Sequence, residues 1–414
     1  MKFHGDWLPE DMVRFREIEE IFRRICLGHG YGEVRTPVIE KLHWFTGAGI
    51  LSPELMHKVY TFLDWDGWSG ERVVLRPDNT VPVCRLFSEY FRKKKKAKVF
   101  YVEDVFRYDE KEKIGGRHCQ VGVELLGDYD VPLLRDTEVL LLIFEFLKKL
   151  KIGRLRVILS HAGILHAYLK TLNLKASEEE KAFELLMEGQ TAELRLFCAD
   201  RSNLKGLSRL LELRGSSSAF LKNLKSLGRS SRDFRQAVKE LETITAQLEA
   251  IGHRFEIFPG IHKDLTYYTG VMFDVELDGV TVGGGGRYDR LLEKFTGKPV
   301  GGCGFSIYVE PLMGLMGQKR GKPGAFPMVS LVGDLKKPEI ATAALKCSGL
   351  LRSRGLMVEL FSTREGKSAG AMKGEIKKAK TGLFLVAQKG RKKERFPLPL
   401  KGVKKLVSFW EIER

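Results

Sequence analysis

Hydrophobic and polar positions follow two different periods along this chain, and each period predicts an element. Between residues 10 and 28 the apolar side chains recur every three or four positions, which is typical of the buried face of a helix. They are Met12, Phe15, Ile18, Ile21, Phe22 and Ile25. Between residues 119 and 125 apolar and polar side chains alternate instead, which is typical of a strand.

The same two patterns continue over the first 160 residues. Asp66-Gly67 between two apolar runs predicts a hairpin turn. Pro77 ends the second strand of that hairpin, and Asp78 or Thr80 can cap the helix that follows. The elements expected are strands at 32–40, 59–66, 68–75, 98–110, 119–127 and 155–160, a loop at 45–53, and helices at 81–91 and 137–150.

Glycine-rich breaks divide the rest of the chain. Residues 165–250 are rich in Leu, Lys and Glu and predict an inserted set of helices, followed by a strand at 254–258. Residues 318–327 predict a linker between a first domain, residues 1–317, and a second domain, residues 328–414. In the second domain, a small α/β one, we expect strands at 328–332, 357–362, 383–387 and 401–409 and helices at 338–354 and 370–380.

Composition excludes several classes of protein. A hydrophobic fraction of 43% and a charged fraction of 30% are typical of globular domains. No apolar run is long enough to cross a bilayer, and the first residues lack the apolar stretch of a signal peptide. The 6 cysteines form no CxxC pair, which favours buried thiols in a reducing compartment. We therefore expect a cytoplasmic protein without a membrane segment, a metal site or a cofactor.

Positive charge is concentrated at the C-terminal end. The chain carries a formal charge of +17, and residues 321–414 contribute 21 Lys and Arg against 8 Asp and Glu, a net charge of +13. Such a surface attracts the phosphates of nucleic acids, so RNA is one candidate partner. A solvated face that favours solubility has the same composition, and charge alone leaves the two interpretations open.

One stretch before the linker combines features of a pocket for a small polar ligand. Tyr267 and Tyr268 are followed by strand-like runs and then by four consecutive glycines and an arginine; Gly285, Gly286 and Arg287 form the candidate pocket loop. Glycine lets backbone approach a ligand closely, and the tyrosines and arginine add a flat wall and a charge. A glycine-rich hairpin with core tyrosines explains each piece singly, but the pieces together favour a pocket.

A second group of polar residues lies on two strands that we expect to pair. Gln120 and Glu124 are two pleats apart, so they share one face of an otherwise apolar strand, and Arg107 ends the preceding strand. Burying these groups is costly unless they bind something, which favours a ligand over hydrogen bonds to a neighbouring loop. His161 and His166 lack partner ligands at metal-binding spacing and indicate the start of a helix.

Six short motifs occur in the order and spacing of the histidyl-tRNA synthetases and their relatives. They are Leu75-Arg-Pro-Asp-Asn-Thr80, Phe106-Arg-Tyr-Asp-Glu110, Gln120-Val-Gly-Val-Glu124, Leu265-Thr-Tyr-Tyr268, Gly285-Gly-Arg-Tyr-Asp289 and Gly304-Phe305. The resemblance covers nearly the whole chain. It implies an α+β fold of the class II aminoacyl-tRNA synthetase type: a mostly antiparallel sheet flanked by helices, a helical insertion, a C-terminal α/β domain similar to the anticodon-binding module, and a dimer.

Departures from the synthetase motifs concern the ATP chemistry. Lys263 stands where the synthetases have an arginine that promotes adenylate formation, and lysine cannot make bidentate contacts. Pro311 stands where they have an arginine against the ATP phosphates, and proline has neither a charge nor a donor. Thr266 and Asp109 replace an aspartate and a glutamate of the family. The resemblance therefore implies that the nucleotide chemistry is lost and that the chain has no catalytic residues.

The residues that hold histidine in the synthetases are better kept. By resemblance, the histidine-binding set is Asp78, Thr80, Arg107, Gln120, Glu124, Tyr267 and Tyr268, with the aspartate in place of a glutamate. An intact amino-acid site beside lost ATP chemistry resembles the regulatory subunits of ATP phosphoribosyltransferase, which are paralogues of the synthetases. The strings Leu159-Ser-His-Ala-Gly-Ile-Leu-His166 and Tyr267-Tyr-Thr-Gly270 are also similar to those of that family.

This second resemblance implies a non-catalytic protein that binds histidine as an end-product inhibitor. It also implies a homodimer within a hetero-oligomer, whose short catalytic subunit performs the first step of histidine biosynthesis. Two alternatives stay open. A divergent histidyl-tRNA synthetase is favoured by the basic C-terminal segment and opposed by Lys263 and Pro311. The third interpretation is an RNA-binding protein that has lost both activities.

Overall fold

The computed structural model describes most of the chain. The described residues are 6–48, 51, 56, 58–64, 70–91, 96–109, 114–128, 132–187, 189–199, 204–227, 231–261, 268–319, 328–354, 356–362, 372–379, 382–389, 391–398 and 403–410. The chain divides into two compact units, Met1–Gly321 and Lys322–Arg414. Each unit has a hydrophobic core of its own.

A large mixed sheet organises the first unit. The strands of this unit are β1 (Gly32–Glu33), β2 (Ile39–Lys41), β3 (Thr61–Leu63), β4 (Arg72–Leu75), β5 (Lys96–Asp109), β6 (Ile114–Gly127), β7 (Leu155–His161), β8 (Glu256–Ile257), β9 (Val271–Leu277), β10 (Val280–Arg287) and β11 (Gly302–Tyr308). Eight of them form one sheet in the order β1-β5-β6-β11-β10-β9-β7-β8, and the others form a small sheet, β2-β4-β3. In the large sheet the two outermost pairs are parallel and the inner pairs are antiparallel, which agrees with the mostly antiparallel sheet that the resemblance implies.

Helices flank this sheet. They are α1 (Pro9–Gly28), α2 (Leu42–Ala48), α3 (Thr80–Leu86), α4 (Pro132–Leu150), α5 (Ala162–Lys170), α6 (Ala176–Met187), α7 (Thr191–Phe197), α8 (Leu204–Leu210), α9 (Phe220–Leu227), α10 (Arg232–Ala250), α11 (Asp289–Thr296) and α12 (Val309–Lys319). A π-helical turn, Phe87–Phe91, continues α3. In the described part of the chain no helix has the length and apolarity needed to cross a membrane.

Alternation along the central strands gives the large sheet two different faces. Val123 of β6 lies opposite Phe305 of β11, which lies opposite Gly285 of β10, so these positions share one face. We call it the core face, because it carries the larger hydrophobic core with α1, α4 and α12. The opposite face, which we call the polar face, carries Glu124 opposite Gly304.

One end of the polar face is covered by a second core. The small sheet packs there with α2, α3 and α11 against strands β5 and β6. Val99 lies opposite Glu124, and Tyr101 lies opposite Gly122, so both side chains project from the polar face into this core. The cover brings the residues just before α3 over β6, where the candidate ligand residues lie.

A buried arginine fixes the segment that leads into α3. Arg76 has no exposed surface; its Nε donates to the Asp104 carbonyl at 2.7 Å and its Nη1 to the Thr36 carbonyl at 2.8 Å. Its guanidinium also pairs with the buried carboxylate of Glu103. The Phe106 amide donates to the Arg76 carbonyl at 3.0 Å, so backbone and side chain both attach this segment to β5.

The second unit is a small mixed sheet with two helices. Its elements are β12 (Met328–Gly333), α13 (Pro338–Arg352), β13 (Met357–Ser362), β14 (Met372–Ala379), β15 (Gly382–Lys389), β16 (Lys392–Pro397) and α14 (Val403–Phe409). The strand order is β13-β12-β14-β15-β16, with β12 parallel to both neighbours and the last two pairs antiparallel. Both helices contribute to its core.

Several local expectations from the sequence are wrong. Residues 370–380 were expected to be a helix, but 372–379 form β14. Met372 and Ile376 are four positions apart, and this spacing fits either a helix or a strand, so the pattern did not separate the two. The strand expected at 401–409 is instead α14, whose turn buries Leu406 and Trp410 together. The first residues of the loop expected at 45–53 belong instead to α2, and the strand expected at 32–40 is two short strands.

We expect Arg76→Met to lower the free energy of unfolding by about 3–5 kcal/mol, because the Glu103 carboxylate loses its buried partner. Urea unfolding followed by tryptophan fluorescence measures this change. The matched control, Arg24→Met, removes an exposed ion pair with Glu20 (side chains 75% and 70% exposed) and should cost less than about 0.5 kcal/mol. If Arg76→Met lowers the free energy of unfolding by less than about 1 kcal/mol, the stabilising role of the buried Arg76–Glu103 pair is contradicted.

Candidate functional site

A strip of glycines crosses the polar face and forms the floor of the candidate site. Gly304 of β11 lies between Glu124 of β6 and Gly286 of β10, and Gly284 lies one pleat away. A Cβ at Gly304 would overlap the Glu124 carboxyl group, so the glutamate occupies the space of the missing side chain. The missing side chains make room for the groups that line the site, the Glu124 carboxyl at Gly304 and the Tyr268 ring at Gly286.

The segment before α3 forms one wall of the site. Asp78 Oδ1 accepts a hydrogen bond from the Val81 amide at 2.9 Å, which confirms the expected capping role of this aspartate. Thr80 Oγ1 donates to Glu124 Oε1 at 2.8 Å. This hydrogen bond attaches the start of α3 to the floor of the site.

Glu124 lies at the centre of the site and is almost fully buried, with 1% of its surface exposed. Besides Thr80, it accepts hydrogen bonds from the hydroxyls of Tyr101, at 3.5 Å, and of Tyr288. Burial raises the pKa of the Glu124 carboxyl to about 8, although the hydrogen bonds from Tyr288 and Thr80 act to lower it. At neutral pH this group is therefore mostly protonated and can donate as well as accept.

Gln120 lies two pleats from Glu124 on the same face, as its spacing predicts, and is buried. Its Oε1 accepts a hydrogen bond from Asn79 Nδ2 at 3.1 Å. The Asn79 side chain is 1% exposed, and its Oδ1 has no hydrogen-bond partner. The two neighbouring amides therefore form a second polar group beside the carboxyl group of Glu124.

Arg107 lies at the exposed rim of the site. Its Nε donates to the Pro77 carbonyl at 2.6 Å, and its Nη1 donates to the Tyr308 hydroxyl at 3.2 Å. Tyr308 in turn lies opposite Gln120 in the sheet. The guanidinium is thereby held at the carbonyl of Pro77, the residue before Asp78, where it can meet the carboxylate or phosphate of a ligand.

Tyr268 lies at the glycine end of the site. It packs against both hydrophobic cores, and its ring lies over Gly286, where a Cβ would overlap it. Tyr267 and Lys263 belong to residues 262–267, which lie outside the described residues. The structure thus brings Asp78, Thr80, Arg107, Gln120, Glu124, Tyr268 and Gly286 to one face of the sheet.

The other two residues of the expected pocket loop project from the core face. Gly285 lies opposite Phe305 and Arg287 opposite Cys303, so the period of the strand directs them away from Glu124. Arg287 Nε donates to Asp136 at 3.0 Å, and its Nη1 donates to Glu240 of α10 at 2.9 Å. Its charge is therefore used inside the protein, between α4 and α10.

His161 joins the same cluster on the core face. Its Nδ1 accepts from the Gly163 amide at 3.1 Å, which caps α5 as the sequence predicts. Its Nε2 lies 3.3 Å from Glu240, and the hydrogen bond from His161, together with the charge of Arg287, lowers the pKa of Glu240 to about 2. This histidine is a structural residue.

Glu310 and Pro311, in the first turn of α12, lie beside β6. Glu310 Oε1 accepts from the Cys119 amide at 2.8 Å, and burial raises the pKa of its carboxyl group. Pro311 follows in the first helical turn, where proline fits because the amide there needs no helical partner. Proline carries no charge, so Pro311 supplies no cation to a phosphate. Asp109 ends β5, and its side chain lies outside the described residues.

A second polar hollow lies at the β7–β8 edge of the polar face. Arg156 pairs there with Glu256 at 2.6 Å and with Glu276 at 2.8 Å, and Arg214 pairs with Glu256 at 2.5 Å. Arg214 also stacks on the Phe258 ring. Both arginines are engaged within the hollow, which makes it a weaker candidate than the site around Glu124.

Sequence reasoning missed several members of the site. Tyr101 and Tyr288 both reach Glu124, and Asn79 reaches Gln120. Asn79 and Tyr288 lie inside two of the six family motifs, so the sequence offered a reason to include them. Tyr101 lies outside the motifs, and an aromatic residue on a strand most often belongs to the core. The assembled site is a set of acceptors, one neutral acid and a rim cation, which suits a small zwitterion that carries further hydrogen-bond donors.

Comparison with known proteins identifies the family of the chain. The family model described as histidyl-tRNA synthetase matches residues 4–312. An ATP phosphoribosyltransferase regulatory subunit from Dehalococcoides mccartyi is 36% identical over 360 residues, which cover 86% of each chain. A histidine–tRNA ligase from Archaeoglobus fulgidus is 32% identical over 365 residues, which cover 84% of this chain and 82% of the relative.

Solved structures agree on the fold. A structure named as an ATP phosphoribosyltransferase regulatory subunit/histidyl-tRNA synthetase from Bacillus halodurans has a TM-score of 0.74 at 24% identity and covers 89% of this chain and 94% of its own. A histidyl-tRNA synthetase from Nostoc sp. PCC 7120 has a TM-score of 0.74 at 19% identity, with 95% of both chains covered. The chain therefore belongs to the histidyl-tRNA synthetase family, and over most of its length it is similar to the ATP phosphoribosyltransferase regulatory subunits of that family.

Proposed function

We propose that the chain is a non-catalytic regulatory subunit of ATP phosphoribosyltransferase that binds histidine and controls the first step of histidine biosynthesis. The observation that carries the proposal is the contrast within one site. The acidic pocket around Glu124 is assembled, whereas Pro311 occupies the place of the ATP-binding arginine of the synthetases. The relatives named as regulatory subunits have the higher identity, which supports the same conclusion.

The pocket supplies a complementary group for each part of a histidine molecule. The carboxylate of Asp78 suits the ammonium group, and Arg107 at the rim suits the carboxylate. Glu124, flanked by Tyr288 and with Tyr268 beyond the glycine strip, suits the imidazole ring. With the carboxyl protonated and a neutral imidazole, one proton is shared between ligand and protein.

Regulation follows from linkage between this pocket and a partner subunit. Histidine shifts the activity of a complex only if it binds two arrangements of that complex with different affinities. We propose a cytoplasmic hetero-oligomer of this chain, itself a homodimer, with the short catalytic subunit. Ile39 and Phe62, 51% and 44% exposed, lie on one face of the small sheet, and an exposed apolar surface of this kind supports a subunit contact.

A divergent histidyl-tRNA synthetase is the alternative within the same family. It uses the same histidine pocket, and the ligase relative at 32% identity supports it. Formation of the aminoacyl adenylate also needs positive charge against the ATP phosphates, and Glu310 and Pro311 in the first turn of α12 supply none. The alternative therefore explains the residues suited to histidine but not the lack of positive charge in the first turn of α12.

The basic second unit supports RNA binding as a further proposed function. Lys373 and Lys377 of β14, Phe384 of β15, and Lys393 and Arg395 of β16 lie on one face of the sheet. The Arg395 guanidinium lies 3.4 Å from the centre of the Phe384 ring. Cations that flank an aromatic residue on a strand face suit the phosphates and bases of single-stranded RNA.

We expect Glu124→Gln to weaken histidine binding by roughly 10- to 100-fold and to change its pH dependence. In the wild-type protein, affinity should fall below about pH 6.5, as the free imidazole gains a proton, and above about pH 8, as the Glu124 carboxyl loses one. The glutamine variant cannot ionise, so its affinity should not fall above pH 8. Calorimetric titration with histidine between pH 5.5 and 9 measures both effects.

The control for this variant is Glu145→Gln, which changes an exposed glutamate that pairs with His29 and should leave histidine binding unchanged. Circular dichroism of each variant checks the fold. If the glutamine variant at position 124 binds histidine with the wild-type affinity and pH profile, the proposed site is misplaced.

For RNA, we expect replacement of Lys373, Lys377 and Arg395 by serine to weaken binding of a single-stranded oligoribonucleotide and to lower its salt dependence by about two to three charges. Fluorescence anisotropy of the full chain at several salt concentrations measures both quantities. The control replaces three exposed lysines outside this face, Lys346, Lys378 and Lys392. Equal losses in both variants would show a diffuse charge effect and contradict a defined RNA surface.

A further inference from the structure

One buried polar atom in the site has no role in the fold. The Asn79 side chain is 1% exposed; its Nδ2 donates to Gln120 Oε1 at 3.1 Å, and its Oδ1 has no hydrogen-bond partner among the described residues. An unpaired buried acceptor is costly to a folded protein, and such atoms are rare. Exchanging the oxygen and nitrogen of the amide does not remove the problem, because one of its two polar atoms still lacks a partner.

The local backbone does not explain this orientation. Asn79 immediately precedes α3, where an asparagine side chain usually accepts a hydrogen bond from a helical amide, but its side chain makes no such bond. Asp78 accepts from the Val81 amide instead, and only the Asn79 carbonyl serves the helix, accepting from the Val83 amide at 3.2 Å. The amide group of Asn79 is thus directed across to β6.

The surroundings of the unpaired atom are those of the ligand pocket. Gln120, which holds the amide in place, is 41 residues away in sequence, in the strand that carries Glu124. Asp78 precedes Asn79 in the chain, and Thr80 after it reaches Glu124. The unpaired oxygen therefore belongs to the group of side chains proposed above to bind histidine.

We infer that Asn79 is a specificity-determining residue of this pocket, whose side-chain oxygen accepts a hydrogen bond from the ammonium group of the bound amino acid. The inference rests on the proposed function and goes beyond it, because the contacts proposed above for histidine assign no role to Asn79. An ammonium group has three N–H donors and needs three acceptors when it leaves water. Asp78 supplies the charge, and neutral amide oxygens can supply the remaining acceptors without a further buried carboxylate.

The alternative explanation is that the unpaired oxygen is a local imperfection of the fold. The two explanations differ in what the removal of the amide changes. Replacement of Asn79 by an apolar side chain leaves the buried Gln120 Oε1 without its donor, so both explanations predict some loss of stability and only the ligand affinities separate them. An imperfection predicts unchanged histidine affinity, whereas a ligand contact predicts a loss that is confined to ligands with an ammonium group.

The test compares Asn79→Leu with the wild-type full chain by calorimetric titration with three compounds. Histidine and histidinol carry the ammonium group, whereas 3-(imidazol-4-yl)propanoate lacks it. We expect the variant to bind histidine and histidinol roughly 10- to 100-fold more weakly and the propanoate within about twofold of the wild-type affinity. The melting temperature should fall modestly in the variant, because the buried Gln120 Oε1 loses its donor. Asn79→Ala repeats the measurement if the leucine variant does not fold.

Asn223→Leu, on the exposed surface of α9, is the matched control and should leave all three affinities unchanged. If the variant at position 79 binds all three compounds with wild-type affinity, or weakens all three by one common factor, the inference is overturned while the proposed function stands. If the wild-type protein does not bind histidine, both are overturned.

Discussion

The hydrogen bond from Thr80 to Glu124 joins segments 44 residues apart in the chain, and the ligand site is built around it. It holds the residues before α3 over the centre of the large sheet. The bond is possible because Gly304 leaves room for the glutamate carboxyl and because Tyr101 and Tyr288 supply further hydrogen bonds to it. Arg76 attaches the same segment to β5 from the other side, so the wall of the pocket is fixed at two points.

The buried carboxyl group also explains how one pocket can bind a polar ligand without destabilising the protein. A charged Glu124 without a ligand would lie away from water next to Asp78; burial and this neighbouring charge raise its pKa, so it is mostly neutral near pH 7. The neutral form costs less to bury, and three hydroxyl groups satisfy its oxygens. Proton sharing with an imidazole can then be gained on binding, which favours that ring over an apolar one.

Much of this site could be predicted from the sequence because strands have a strict period of two. Gln120 and Glu124 share a face as expected, and the pairing of their strand with the one that carries Arg107 is as expected. The same period places the consecutive residues Gly286 and Arg287 of β10 on opposite faces of the sheet. The prediction of one pocket loop that contains both did not take this into account. The partners of Arg287, Asp136 and Glu240, come from distant helices, so no local pattern could indicate them.

The proposed loss of catalysis and the proposed histidine binding depend on different parts of this chain. The acceptors for an amino acid are carried by β6 and the segment before α3, whereas charge for a triphosphate would have to come from the start of α12, where Glu310 and Pro311 lie. One group can therefore change while the other stays intact. The second unit has its own sheet and core, and its basic face can serve a separate partner.

The most direct test of the central claim combines two assays on the purified full chain. The first is histidine-dependent exchange between ATP and pyrophosphate, which reports the reversible formation of a histidyl adenylate. The second is the activity of a short-form ATP phosphoribosyltransferase catalytic subunit with and without this chain, at increasing histidine concentration. The account predicts no exchange, together with catalytic activity that depends on the chain and is inhibited by histidine. Clear exchange, with no effect on the catalytic subunit, would contradict it.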